Sequence, residues 1–222
     1  MGWKFLSYEL NSSTPAYGNG DTITIEKSRS IARNGDTSNN SVLNLASHLG
    51  THIDFPYHFS ADGKKCSDYS ADKFVYSNTV VIDISAENIR DFLIHPENLS
   101  KLVLNESCDL LILKTGFTSK RGSEAYWNYN WGFAPQSASF IKEKLPNVKC
   151  LLFDTISLTS FQDRPTGRIA HRSFLLENEL LLVEDADLSE ISENSNFETV
   201  IISPLRFDDC DGTPVTVLAN EI

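Results

Sequence analysis

Three of the chain's five histidines fall within eleven residues, from His48 to His58. The segment reads His48-Leu49-Gly50-Thr51-His52-Ile53-Asp54-Phe55-Pro56-Tyr57-His58-Phe59, with no Lys or Arg in it. Neutral imidazoles beside a carboxylate make a donor set for zinc, manganese or iron(II). His52 and Asp54 are two apart, so an extended chain points both to one face. Gly50 permits a turn that folds His48 toward the same point. Pro56 ends regular pairing and redirects His58. The spacing is not that of a helical HExxH zinc site, because Leu49 stands where its glutamate would be and Gly50 is a poor helix interior. A histidine cluster without chemistry is the bland alternative, and the density amid apolar neighbours favours a metal site.

The elements that must position these residues alternate along the chain. Buried strands are expected at Thr79–Ile84, Asp109–Lys114 and Val148–Phe153, and extended chain at Leu180–Val183. Final strands are expected at Glu198–Pro204 and Pro214–Ala219. Helices are expected at Ala86–Leu93, Pro135–Leu145 and His171–Asn178. Asp21–Lys27 and Thr51–Phe55 look like strands without intervening helices, so a mixed sheet is expected in a single α/β domain covering residues 1–222. Two polar stretches, Asn11–Asp21 and Ser28–Ser41, read as loops, and long ordered loops are often functional. Tyr126, Trp127, Tyr129, Trp131 and Phe133 form a dense aromatic group, suited either to a pocket wall or to core and subunit packing.

Composition narrows the function classes. The chain has 222 residues, 41% of them hydrophobic and 22% charged, which is ordinary for a globular protein able to bury a core unaided. Acidic residues outnumber basic ones 30 to 19, a net charge of −11, which argues against nucleic acid and anionic membranes as partners. No apolar run approaches a membrane span, and Met1–Glu9 lacks the apolar core of a signal peptide. The cysteines, at 66, 108, 150 and 210, form no CxxC pair. They read as free thiols in a reducing compartment, and a cytoplasmic location is expected.

The motif HxGTHxDxPxHF, complete at His48, Gly50, Thr51, His52, Asp54, Pro56, His58 and Phe59, resembles the signature of the metal-dependent cyclase-like hydrolases. That family includes bacterial kynurenine formamidases and isatin hydrolases. Further segments are similar to the family in the same order. They are Thr115-Gly116, Phe153-Asp154-Thr155-Ile156-Ser157, Ala170-His171-Arg172 with the later Glu184, and Gly212-Thr213-Pro214-Val215. The resemblance implies a swivelling β/β/α fold and a homo-oligomer, at least a dimer. It implies that His48, His52 and Asp54 bind a first zinc or manganese ion. His58, His171 and Glu184 would bind a second, or serve as the catalytic acid/base residues where one ion is present. The choice of Glu184 over Asp185 rests on the resemblance.

Asp154 and Ser157 follow a strand, at an edge where α/β folds place ligands, and are candidates for substrate binding or for turn and capping duty. The family's W-P-G-D-like stretch corresponds to Thr14–Asp21, where Tyr17 is the nearest aromatic and a further substrate-binding candidate. This departure, and Thr216 where the family often has Arg, bear on substrate identity and leave the metal chemistry intact. The expected activity is hydrolysis of the C–N bond of a small amide, foremost an aryl formamide such as N-formylkynurenine. Open alternatives are a cyclic amide, lactone or carbamate substrate, or a non-catalytic metal- or small-molecule-binding protein on the same scaffold.

Overall fold

The computed structural model describes residues 2–222. Its strands are β1 (Gly2–Phe5), β2 (Thr24–Arg29), β3 (Asn40–Asn44), β4 (His52–Asp54), β5 (Val75–Tyr76), β6 (Thr79–Asp83), β7 (Leu93–Ile94), β8 (Leu110–Lys114), β9 (Gly132–Phe133), β10 (Cys150–Phe153), β11 (Leu181–Glu184), β12 (Phe197–Pro204) and β13 (Gly212–Glu221). The helices are α1 (Ile31–Asn34), α2 (Glu124–Asn128), α3 (Gln136–Lys144) and α4 (Arg164–Arg172), the last running on into a π-helical turn, Ser173–Glu177.

The apolar runs of β8, β10 and β11 pair in parallel at the centre of a mixed sheet, with β6 on the far side of β8. Their side chains alternate between two cores. Ile112, Leu152 and Val183 face one; Leu111, Leu151 and Leu182 face the other. The second core is closed by helical residues such as Ile141 and Phe174. The first is closed by the sheet itself, through Tyr76, Val200, Ile202 and Val217 of β5, β12 and β13. The path β5-β12-β13-β4-β11-β10-β8-β6 is therefore nearly barrel-shaped, with few helices. Strands buried on both faces lose their alternating pattern, which is why these runs are continuously apolar.

The parallel run ends at β4, which lies antiparallel to both β11 and β13. Ligand sites in α/β sheets favour the carboxyl ends of parallel strands where the chain direction switches. The short strand β4 is inserted at that switch.

Several sequence expectations shift. Ala86–Leu93 is turns and irregular chain leading into β7, not a helix, with Asp91 and Phe92 at φ of 55° and 58°. The helix expected at His171 begins at Arg164, where the Asp163 side chain accepts a bond from the Thr166 N–H and Pro165 suits the first turn. Thr79–Asp83 is half-buried because it is the edge strand. The Asp21–Lys27 strand forms as β2 but pairs only with β3, in a ribbon outside the main sheet, and the Ser28–Ser41 stretch supplies α1 and part of that ribbon. Among the described residues no helix is long and apolar enough to cross a membrane.

Candidate metal centre

β4 is buried throughout and sorts its side chains by parity: Ile53 enters the first core, while His52 and Asp54 face a cavity of about 280 Å³ on the other side. Its neighbours complete the floor. Glu184 lies opposite His52 in the β11 register, so both side chains emerge on one face, with Glu184 Oε2 3.3 Å from His52 Nε2. On the other flank Gly212 lies opposite Asp54, and a Cβ there would stand 2.4 Å from His48 Cε1. Only glycine leaves room for the His48 ring. Gly50, at φ +67°, makes the turn that brings His48 back. Pro56 opens a 3-10 turn that carries His58 over the His48 ring, with centroids 4.1 Å apart.

His171 arrives from α4, and its Nε2 stands 3.5 Å from both Asp54 Oδ2 and Glu184 Oε1. The donor atoms form two groups, each within 4.8 Å: His48, Asp54 and His58, and His52, Asp54 and Glu184. Asp54 is common to both. His48 Nδ1 and His52 Nε2 lie 2.9 and 3.4 Å from the same Asp54 Oδ1, with Glu184 beside His52 and His58 beside His48.

Hydrogen bonds set the tautomers. His52 Nδ1–H donates to the Gly50 carbonyl at 2.8 Å, and His171 Nδ1–H to the Gly167 carbonyl at 2.9 Å. A carbonyl only accepts, so Nδ1 carries a proton in both rings and Nε2 is the nitrogen turned toward the carboxylates, the orientation of a metal-ligating imidazole held by its other nitrogen. Glu184 Oε1 is fixed by the Leu158 N–H at 2.7 Å.

Asp211, unread from the sequence, accepts from His48 Nε2 at 2.9 Å and from His58 Nδ1 at 2.8 Å. It directly precedes the Gly-Thr-Pro-Val element, at the end of the acidic stretch Asp208-Asp209-Cys210-Asp211. That adjacency was the one signal available for it.

The electrostatics favour positive charge. Burial would push His52, His48 and His171 down. Asp54 and Glu184 instead lift His52 well above its ordinary range and His171 to about 10, while Asp54 and Asp211 lift His48 to about 9. Burial would raise Asp54, but His48, His171 and His52 hold it well below the usual carboxylate range. Burial and Asp54 act upward on Glu184, and His171 and His52 bring it down. Hydrogen bonds from His48 and His58 hold Asp211 low as well. Among the described residues no Lys or Arg nitrogen lies within 4.0 Å of Asp54 or Glu184. Two buried carboxylates and converging imidazole nitrogens fit a divalent cation.

The remaining candidates separate. Tyr17 and Ser157 line the cavity. Asp154 does not: it is fully buried, and its oxygens accept from Thr115, Gly116 and Thr118 in the turn after β8. Asp185 turns away from Glu184 at φ +52° and pairs with Arg121 at 3.0 and 2.8 Å. Of the aromatic group, Tyr126 and Phe133 are core, and Tyr129 is exposed. His95 is in another part of the fold, at the start of a 3-10 turn where its backbone N–H donates to the Asn98 side chain.

Known proteins resemble the chain over nearly its whole length. Kynurenine formamidases of Bacillus cereus and Bacillus anthracis are each 27% identical over 220 residues, covering 99% of this chain and 98% of theirs. The solved structure of isatin hydrolase A from Labrenzia aggregata bound to benzyl benzoate superposes with a TM-score of 0.76 at 21% identity, covering 98% of this chain and 92% of that one. An isatin hydrolase bound to the product analogue thioisatinate gives 0.75 at 17%, covering 98% and 91%. The family model described as "Putative cyclase" matches residues 5–160, and on that match the chain belongs to the cyclase family.

Proposed function

We propose that the protein is a metal-dependent hydrolase that opens the C–N bond of a small amide, with an aryl formamide such as N-formylkynurenine as the favoured substrate. The observation that carries this reading is the convergence of His48, His52, His171, Asp54 and Glu184 on the floor of one cavity, with ring nitrogens and carboxylate oxygens turned toward one another. Full-length similarity to the Bacillus kynurenine formamidases supports the choice of substrate.

His52, His171, Asp54, Glu184 and His48 would hold one or two zinc or manganese ions. Such an ion would polarise the substrate carbonyl and the attacking water. The chain's own residues do the rest. His58 rests on Asp211 through Nδ1, which leaves its Nε2 free to take a proton from the attacking water and return it to the leaving nitrogen. Phe59 stacks on His171, with centroids 4.7 Å apart, and keeps bulk water from that ligand. Tyr17, Ile156 and Ser157 line the side where an aryl group would lie.

Turnover of N-formylkynurenine by the purified protein, with its metal content measured and a chelated control, tests the reading. Metal-dependent turnover is expected; absence of turnover by metal-loaded protein moves the substrate to another amide or ester. Exposed Ile25, Val42 and Leu43 on the outlying β2–β3 ribbon support a homo-oligomer in which a second copy covers them. Sedimentation velocity should show an assembly larger than one chain, reduced to monomer by charged substitutions at 42 and 43.

A further inference from the structure

The outer end of the same cavity carries charges that the hydrolytic chemistry leaves without a role. Arg164, Arg168 and His171 share one face of α4, at helical spacings of four and three. His171 reaches the metal-binding floor, while Arg168 and Arg164 stand roughly 4.5 and 10.5 Å away along the helix axis at 1.5 Å per residue. Both arginines line the cavity and both are exposed at its mouth. Among the described residues, neither guanidinium has a carboxylate oxygen within 4.0 Å. In a chain where acids outnumber bases 30 to 19, two neighbouring arginines without an acidic partner stand out.

The surroundings give the pair a direction. Arg164 lies 5.8 Å from the centre of the Phe161 ring, and Phe161 packs edge-on against Tyr17 at 5.2 Å, so the guanidinium is held beside an aromatic wall. Asp21, on the N-terminal loop, is the one carboxylate of this lining outside the buried cluster. The cavity therefore runs from a floor rich in carboxylates to a mouth with two cations and a single acid.

We propose that Arg164 and Arg168 form the anion-binding end of the substrate site, selecting amides that carry a carboxylate roughly 5–10 Å from the scissile carbonyl, one to two helix turns from His171. Asp21 takes a cationic group beside that carboxylate, as in an α-amino acid. The arginine forks hold the anionic end of such a molecule at the mouth, so the carbonyl is the end that reaches His171. The assignment rests on the amide-hydrolase reading, and it extends that reading to the charge of the substrate.

Two measurements test it. The first compares kcat/KM for N-formylkynurenine and for its side-chain carboxamide, in wild type and in Arg164→Gln/Arg168→Gln. The wild type should prefer the carboxylate by roughly tenfold or more, and the double variant should lose that preference, mainly through KM. The second needs no turnover: calorimetric binding of kynurenine against kynurenine carboxamide to the metal-loaded protein. Tighter binding of the carboxylate by wild type, lost in the double variant, supports the anion site even if neither formamide is hydrolysed, in which case only the hydrolase reading fails. Equal binding, no binding, or a preference that survives in the double variant overturns it.

Discussion

Gly212 and His48 occupy one space: the missing Cβ at 212 is the reason the His48 ring can lie between Asp54 and Asp211. A methyl group there would overlap Cε1 and must displace the ring, because Gly212 is held in register opposite Asp54 of β4. Gly212→Ala should therefore cost about 1–3 kcal/mol of stability by overpacking. Metal affinity should fall at least roughly tenfold, the scale of losing a well-placed ligand support. Metal titration and denaturant unfolding of the variant read the two effects separately. Unchanged affinity would show that His48 is not a ligand.

Asp211 ties His48 to His58 and fixes the proton of each. Asp211→Asn puts an amide N–H where His58 Nδ1–H now points and favours the opposite tautomer. Activity should fall by roughly 10–100-fold, as for other groups that orient ligands and bases. The pH–rate profile should also move, which loss of packing alone would not cause. A wild-type profile in this variant would remove Asp211 from the mechanism.

Arg121 is the counter-charge of Asp185, whose side chain is 1% exposed, and it also lies over the Tyr8 ring at 3.7 Å. Removing it in Arg121→Leu leaves a buried carboxylate without its cation, a loss of about 3–5 kcal/mol near neutrality. Burial already raises the Asp185 carboxyl above its ordinary 3.8 despite Arg121, and the variant raises it further. A carboxyl with a raised folded pKa contributes its stability below the unfolded value and loses it as pH rises through the folded one. The deficit of Arg121→Leu should thus be small in acid and grow toward neutrality, as unfolding midpoints across that range will show. A constant deficit would assign the loss to packing of the arginine stem.

Thiol reactivity separates the four cysteines. Burial pushes Cys108 and Cys150 up to about 12, so at mildly alkaline pH almost none of either is thiolate. Cys66 is buried as well, whereas Cys210 is half-buried. A disulfide reagent should modify one thiol quickly in the native protein and the other three only on unfolding. The fast phase should vanish in Cys210→Ser.

The part of the site that could be read in the sequence is the part held on one short segment. Between His48 and His58, strand parity at His52 and Asp54, the turn at Gly50 and the redirection at Pro56 are all local consequences of residue type. His171 and Glu184 are brought in over more than a hundred residues by α4 and β11, and local pattern says nothing about such contacts; the family resemblance located them. Asp211, Arg164 and Arg168 went unread for the same reason, hidden among ordinary surface charges. The Ala86–Leu93 helix did not form, and an apolar–polar pattern does not reveal the positive φ at Asp91 and Phe92. The continuous apolar runs of β8, β10 and β11 were legible because burial on both faces leaves a run that few other elements produce.

The most direct test is N-formylkynurenine hydrolysis by chelator-treated protein as zinc or manganese is added back, alongside Asp54→Ala. Turnover should be absent after chelation, rise in proportion to bound metal, and stay absent in Asp54→Ala, which should also fail to retain the ion. Hydrolysis that persists without metal, or at full rate in Asp54→Ala, would contradict a metal-dependent reaction at this cluster.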